Sequence, residues 1–185
     1  MNVIKTDIEG PLVIEPRIFG DSRGYFFESF NAQAFREATG LDISFVQDNE
    51  SFSHYGVVRG LHFQHPPYAQ SKLVRCVKGR VLDVAVDIRR GSPTYGRYVT
   101  CELTGENHRQ FFVPKGFAHG FAVLSDEALF QYKCDEFYHP EAEGALMWND
   151  PDIAIEWPLP ADRIELSAKD RNHPRLQAFE SPFSL

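Results

Sequence analysis

From Lys72 onward the chain alternates apolar and polar side chains over short runs that stop at turn residues, the pattern of strands with one buried face. The runs are Lys72 to Val77, Arg80 to Ile88, Tyr98 to Leu103, Arg109 to Val113, Phe117 to Leu124 and Ala128 to Tyr138. Breaks such as Lys78-Gly79 and Thr104-Gly105-Glu106-Asn107 separate them. Six runs in about seventy residues predict a compact antiparallel sandwich or barrel. Val81 to Ile88 carries the period best: Leu82, Val84, Val86 and Ile88 share one face, and Val81, Asp83, Ala85 and Asp87 the other. The first face reads as core and the second as the one bearing carboxylates.

Outside the strands the pattern thins. Asn31 can cap a short helix in which Ala32, Phe35 and Ala38 form an apolar edge, and Gly40 stops it. Pro140 to Pro160 holds four prolines and two tryptophans, so an extended wrap anchored by Trp148 and Trp157 is expected. Ala161 to Lys169 reads as a weak helix and Glu180 to Leu185 as a frayed end. No repeat or linker divides the chain, and its 185 residues fit one domain.

Composition narrows the function. At 43% hydrophobic and 24% charged residues, with 16 Phe, the chain has enough apolar surface to fold around a core. A net charge of −7 is the wrong sign for general attraction to nucleic acid or an anionic membrane, so an anionic ligand must be met by a local cation cluster. No stretch has the length and apolarity of a membrane helix, and the first thirty residues lack a signal peptide's basic start and apolar middle. The expected address is the cytoplasm. Cys76, Cys101 and Cys134 are odd in number and lie in apolar alternating segments, which predicts buried free thiols.

The candidate chemistry sits where alternation predicts core. Tyr132 shares a face with Ala128, Phe130 and Cys134, and fits either a core tyrosine or a proton donor lining a cavity. On strand parity His62 shares a side with Val58, Gly60 and Gln64, and the glycine suggests close approach of something to the backbone. Lys72 matches Val74 and Cys76 in parity, so its ammonium either snorkels to the rim or faces a cavity. Arg23, Arg59 and Lys72 would suit a diphosphate, and no Gly-rich phosphate loop is present. Pro114-Lys115-Gly116-Phe117-Ala118-His119 resembles the second motif of the cupin superfamily. His62, His65 and His119 could then supply metal ligands, but the cupin His-x-His and its downstream Glu are missing after Gly60.

Five blocks in order carry a more specific resemblance. They are Gln47-Asp48-Asn49-Glu50-Ser51, Arg59-Gly60-Leu61-His62-Phe63-Gln64, Lys72 to Gly79, Pro114 to Phe121 and Trp148-Asn149-Asp150-Pro151. Together they resemble the dTDP-4-dehydrorhamnose 3,5-epimerase family, over about residues 2 to 179. The resemblance implies a mainly β, cupin-type jelly roll with a core over about residues 45–140 and short peripheral helices. It also implies a homodimer with exchanged N-terminal segments, and an isomerase of rhamnose biosynthesis that needs no cofactor or metal. It makes His62 the general base, oriented by Asp170, Tyr132 the proton donor on the opposite sugar face, and Lys72 the cation beside the ketone oxygen. Arg23, Glu28, Gln47, Asp48, Asn49, Arg59, His119, Glu143 and Lys169 match nucleotide-sugar contacts, and Asp83 matches the carboxylate partner of His119. Phe19, Phe26 and Tyr138 are the rings open to stacking on thymine.

Overall fold

A computed structural model describes residues 1–185. In chain order the strands are β1 (Asn2–Lys5), β2 (Leu12–Glu15), β3 (Phe19–Asp21), β4 (Gly24–Phe26), β5 (Gln47–His54), β6 (Val58–Gln64) and β7 (Lys72–Lys78). They continue as β8 (Arg80–Asp87), β9 (Tyr98–Thr104), β10 (Gln110–Val113), β11 (Phe117–Val123), β12 (Glu127–Cys134) and β13 (Glu143–Ala145). One sheet runs β1-β2-β10-β7-β12-β5 and the other β13-β6-β11-β8-β9, with every pairing antiparallel. Strands β3 and β4 form a separate hairpin. The two large sheets face each other as a jelly roll, the fold the resemblance implies and one of the antiparallel sandwiches that the strand pattern predicts.

The packing follows from side-chain parity. Val74, Cys76, Ala128 and Phe130 of the first sheet meet Val81, Ala85, Phe121 and Val123 of the second in the central core. Strand β8 is buried on both sides, so the expected division into a core face and a carboxylate face is corrected. Its Val81, Asp83 and Ala85 face points into the roll. Val84, Val86 and Ile88 pack outward under Trp157, Leu176, Phe179 and Phe183 of the C-terminal segment. The outer face of the first sheet is covered by helix α1 (Ala32–Thr39), whose Phe35 packs with Ile14, Leu73 and Phe112. The predicted caps are present: the Asn31 side chain accepts from Ala34 N–H, and Gly40 turns left-handed at φ 75°.

Three expectations at the periphery are corrected. The strand predicted to reach Tyr138 ends at Cys134, because the next residue, Asp135, turns its carboxylate to accept from Ser71 N–H (2.6 Å). The helix expected over Ala161 to Lys169 is a single turn, Ala161–Arg163. Beyond it Glu165 is held extended beside β6 by hydrogen bonds to Gly56 and Val58, and a strand-like contact cannot coexist with helix. The tail is not frayed. Arg90 bonds both Phe183 and Leu185 through the main chain, and the buried Ser181 hydroxyl donates to Ile88 C=O. Cys76, Cys101 and Cys134 are buried free thiols, as expected.

Candidate active site

A cavity of about 290 Å³ opens between the two sheets at one end of the roll. His62 and Gln64 of β6 line one wall, and Gln47 and Asn49 of β5 with Lys72, Tyr132 and Cys134 of β7 and β12 line the other; Glu143 and Tyr138 stand at the rim. The register explains the company. Asn49 lies opposite Tyr132 and Gln47 opposite Cys134, and directly paired residues share a face. Lys72 is likewise paired with Cys134, and its Nζ lies 6.0 Å from the centre of the Tyr132 ring.

Regular alternation would put Arg59 and His62 on opposite faces. In the ladder to β11, His62 pairs with His119 but Arg59 with Phe121, so three steps on β6 match two on β11. The extra residue is a bulge at Gly60 and Leu61, and it returns Arg59 to the inner face. Gly60 sits at φ +130°, where a Cβ would stand 2.6 Å from the Gly120 Cα. The close approach that Gly60 signalled is therefore the neighbouring strand. Arg59 donates to Ser53 Oγ at 3.0 and 3.1 Å and lies near enough to Tyr132 to oppose the rise of its pKa.

His62 is fixed from behind. Its Nε2–H donates to Asp170 Oδ1 at 2.6 Å, and Ser167 Oγ–H donates to Oδ2 at 2.9 Å. Asp170 is buried, which by itself raises a carboxyl pKa. The hydrogen bond from His62, with help from Ser167 and His173, overcomes this and holds it below the ordinary value. An ionised carboxylate keeps the proton on Nε2, so the lone pair of Nδ1 is free to accept one. Burial raises the Tyr132 pKa, which keeps the phenol protonated and able to donate. Burial also lowers the Lys72 pKa, opposed by Cys134, Asp83 and Glu143, and the same low polarity strengthens the attraction between its protonated form and any negative charge formed beside it.

His119 lies across the ladder from His62 but deeper, with Nε2 at 2.9 Å from Asp83 Oδ1. Burial raises the Asp83 pKa, opposed by His119 and Lys72. His65 turns away, its ring tilted against Phe63 at the edge of another depression, so the grouping of His62, His65 and His119 as metal ligands is not formed. Lys169 pairs with Glu143 at the cavity rim.

Of the expected set, His62, Lys72, Tyr132, Gln47, Asn49 and Glu143 line this cavity. Asp170, Lys169, Arg59 and His119 with Asp83 stand against that lining without forming it, and three more residues lie elsewhere. Asp48 points through the outer face of the sheet to pair with Lys133 (2.8 Å), because alternation separates it from Gln47 and Asn49. Arg23 lies on the exposed β3–β4 hairpin, bonded to Asp21, and Glu28 follows it, accepting from Asn31. Phe19 and Phe26 stand on the same hairpin, so Tyr138 is the one candidate stacking ring at this cavity. Sequence reasoning missed Gln64, His173 and Ser167. Buried Gln64 donates to Tyr68 and Phe137 C=O (2.7 and 3.0 Å) and accepts from His139 N–H (2.7 Å), fastening the loop that carries Tyr138. Its polar side chain at a core-parity position was the available signal.

Residues 5–178 match the family model for dTDP-4-dehydrorhamnose 3,5-epimerase. A protein of that name from Shigella flexneri is 57% identical over 172 residues, 93% of this chain and 94% of the relative. The crystal structure of a dTDP-6-deoxy-D-glucose-3,5-epimerase from Legionella pneumophila in complex with dTDP-4-keto-L-rhamnose superposes with a TM-score of 0.93 at 51% identity, covering 97% of this chain and 94% of that one. A 3'-monoepimerase from Streptomyces bikiniensis in complex with dTDP-quinovose is also similar, with a TM-score of 0.86, 38% identity and coverage of 96% and 88%. With the match spanning nearly the whole chain, the protein belongs to the dTDP-4-dehydrorhamnose 3,5-epimerase family.

Proposed function

We propose that this chain inverts carbons 3 and 5 of dTDP-4-dehydro-6-deoxy-D-glucose to give dTDP-4-dehydro-L-rhamnose. The observation that carries the reading is one cavity in which a carboxylate-backed imidazole on one sheet faces a phenol and an ammonium on the other. A C–H beside a ketone is weakly acidic, and its removal needs a base and a positive group where enolate charge develops. His62 Nδ1 takes the proton, Asp170 stabilises the imidazolium, and Lys72 meets the enolate oxygen. Inversion requires the proton to return to the opposite face, and Tyr132 supplies it. Because the ketone already activates both neighbouring carbons, the chemistry calls for no metal or redox cofactor.

Arg59, Gln47, Asn49, His119 (held by Asp83), Glu143 and Lys169 are assigned to the nucleotide-sugar, with Asp48 acting through its main chain. Arg23 and Glu28 are assigned to the cavity of a second copy. The place of Arg23 on an exposed hairpin, with Glu28 just after it, away from the residues lining this chain's own cavity supports a homodimer with exchanged N-terminal segments. The chain works as a single domain over 1–185 with its jelly-roll core at about 45–140, in the cytoplasm.

Incubation with the dTDP-ketosugar in deuterated water, followed by NMR, tests the reading. Deuterium should enter at carbons 3 and 5. His62→Ala should abolish both exchanges, and Tyr132→Phe should mainly impair inversion at carbon 5; wild-type rates in either variant contradict the assigned roles. Label at carbon 3 alone would mark the single inversion suggested by the 38% identical monoepimerase.

A further inference from the structure

Asp170 has a second imidazole on it that proton transfer does not use. His173 Nε2 lies 3.3 Å from Asp170 Oδ1, the same oxygen that His62 Nε2 approaches to 2.6 Å. The two rings stand nearly perpendicular, at 86°, with centres 5.9 Å apart. All three donor atoms fall within 4.8 Å of one another. The carboxylate's other oxygen is tied to Ser167, which fixes its direction. The group is reached from two sides: His62 lines the cavity between the sheets, and His173 lines a separate depression with His65, Glu143, Lys169 and Asn172.

We propose that His62, Asp170 and His173 form an inhibitory site for a divalent cation of the zinc type. Two neutral imidazoles and one carboxylate are the donors that borderline transition ions prefer, whereas magnesium and calcium take all-oxygen shells. Bonds of about 2.0–2.1 Å in a tetrahedron set donor atoms about 3.3–3.4 Å apart. The His173–Asp170 separation of 3.3 Å already has that value. The His62–Asp170 pair, at 2.6 Å, must open by about 0.7 Å once a cation replaces the proton between them. Ser167 holds the carboxylate as outer ligands do in built metal sites.

The inhibition has a definite cause, which rests on His62 being the base; the binding does not. A neutral imidazole carries one N–H. With Asp170 accepting, that hydrogen is on Nε2 and Nδ1 offers its lone pair to the substrate. A cation on Nε2 needs the lone pair there, so the hydrogen moves to Nδ1. The ring stays neutral and no proton is lost, but it now presents N–H to the sugar where it must present a base.

The test uses the full chain, treated with a chelator and then titrated with zinc chloride by calorimetry, with magnesium chloride as control. One zinc per chain is expected, magnesium should give no heat, and zinc should inhibit epimerisation with the same midpoint, reversed by EDTA. His173→Asn should weaken zinc binding by at least about 100-fold, since even outer partners of a metal carry 10–100-fold. Its inhibition should weaken in parallel, each measured against that variant's own zinc-free rate. If His173→Asn does not fold, His62→Asn supplies the same loss in the binding measurement alone. Unchanged zinc affinity in these variants overturns the proposal and points to exposed pairs such as His54–Glu165 or His139–Glu141. Binding that depends on His173 but leaves the rate untouched upholds the site and counts against His62 as the base.

Discussion

At Asp170 one side chain sets the tautomer of His62 and also stabilises the imidazolium that forms when His62 takes a proton. Asp170→Asn separates these roles from shape. The amide keeps the volume and one acceptor, but loses the charge and can offer N–H₂ to Nε2 instead. We expect kcat to fall by at least about 100-fold with KM little changed, since the lost interaction is strongest in the transition state. A kcat within a few-fold of wild type in steady-state assays would remove Asp170 from the mechanism. Because its pKa is held below the ordinary value, Asp170 stays ionised through the range in which an imidazole titrates. Part of this constellation could be read from the sequence residue by residue. Parity put Tyr132 and Lys72 on the core-facing side, and because Lys72–Cys76 and Phe130–Cys134 pair in steady register the structure keeps them there; that they face a cavity and not packed core could be read only from the structure. His173 could not be found that way, because it joins His62 only through a carboxylate 108 positions along the chain from that histidine, in a segment without periodicity.

Strand β6 is the element on which the site turns, and its bulge is where sequence parity failed. A period-two reading cannot see an inserted residue, so Arg59 came out on the wrong side of His62 until the ladder to β11 was known. Gly60→Ala tests the bulge. The substitution sets a methyl group 2.6 Å from Gly120 Cα at a φ of +130°, and main chain cannot step aside as a flexible side chain can. We expect a loss on the order of 1–3 kcal/mol in denaturant unfolding and a drop in activity out of proportion to it, because both Arg59 and His62 are aimed by this turn. A fully stable, fully active variant would show that the bulge is not needed.

A second element prediction concerns the turn after β8. Burial works to raise the Asp87 pKa, but hydrogen bonds from Arg89, Ser92 and Thr94 outweigh it and bring it down to about 2. A carboxyl whose folded pKa lies below its unfolded value stabilises the fold fully above the unfolded value, near 3.8. That contribution fades as pH falls toward about 2. From this shift we expect about 2 kcal/mol to be lost across that interval, and Asp87→Asn to flatten this part of the stability curve in acid titrations followed by circular dichroism.

On the scale of the whole molecule, two sheets supply the two faces of the chemistry, and the β3–β4 hairpin that the single chain leaves exposed is assigned to its neighbour. Phe19, Tyr25 and Phe26 are 51%, 62% and 66% exposed on the hairpin that carries Arg23. Aromatic side chains so displayed are expensive to leave in water and suit a surface that a second copy covers. The architecture was legible because six alternating runs can close only a small set of folds, and the prolines and tryptophans of residues 140–160 announced their extended wrap. The course of residues 161–185 was not legible, since contacts there are set by burial on β8 and β6 rather than by local periodicity. Exchange of N-terminal segments makes a sharp prediction. Let one chain carry His62→Ala and the other Arg23→Ala, each inactive or nearly so alone. If each cavity borrows Arg23 from its partner, a mixed dimer holds one doubly damaged cavity and one with both native residues. In the isolated mixed dimer about half of the wild-type activity per cavity should return, and in an unfractionated mixture of equal amounts, where half the dimers are mixed, about a quarter. Without exchange, each mixed dimer keeps one lesion in each cavity and nothing returns. Co-expression with two affinity tags, isolation of the mixed species and a rate measurement at low substrate concentration decide between these outcomes. Sedimentation should at the same time give twice the chain mass of 21.1 kDa. An active mixed dimer also fixes the side on which the nucleotide lies, because the guanidinium of one chain must then reach the cavity whose imidazole belongs to the other.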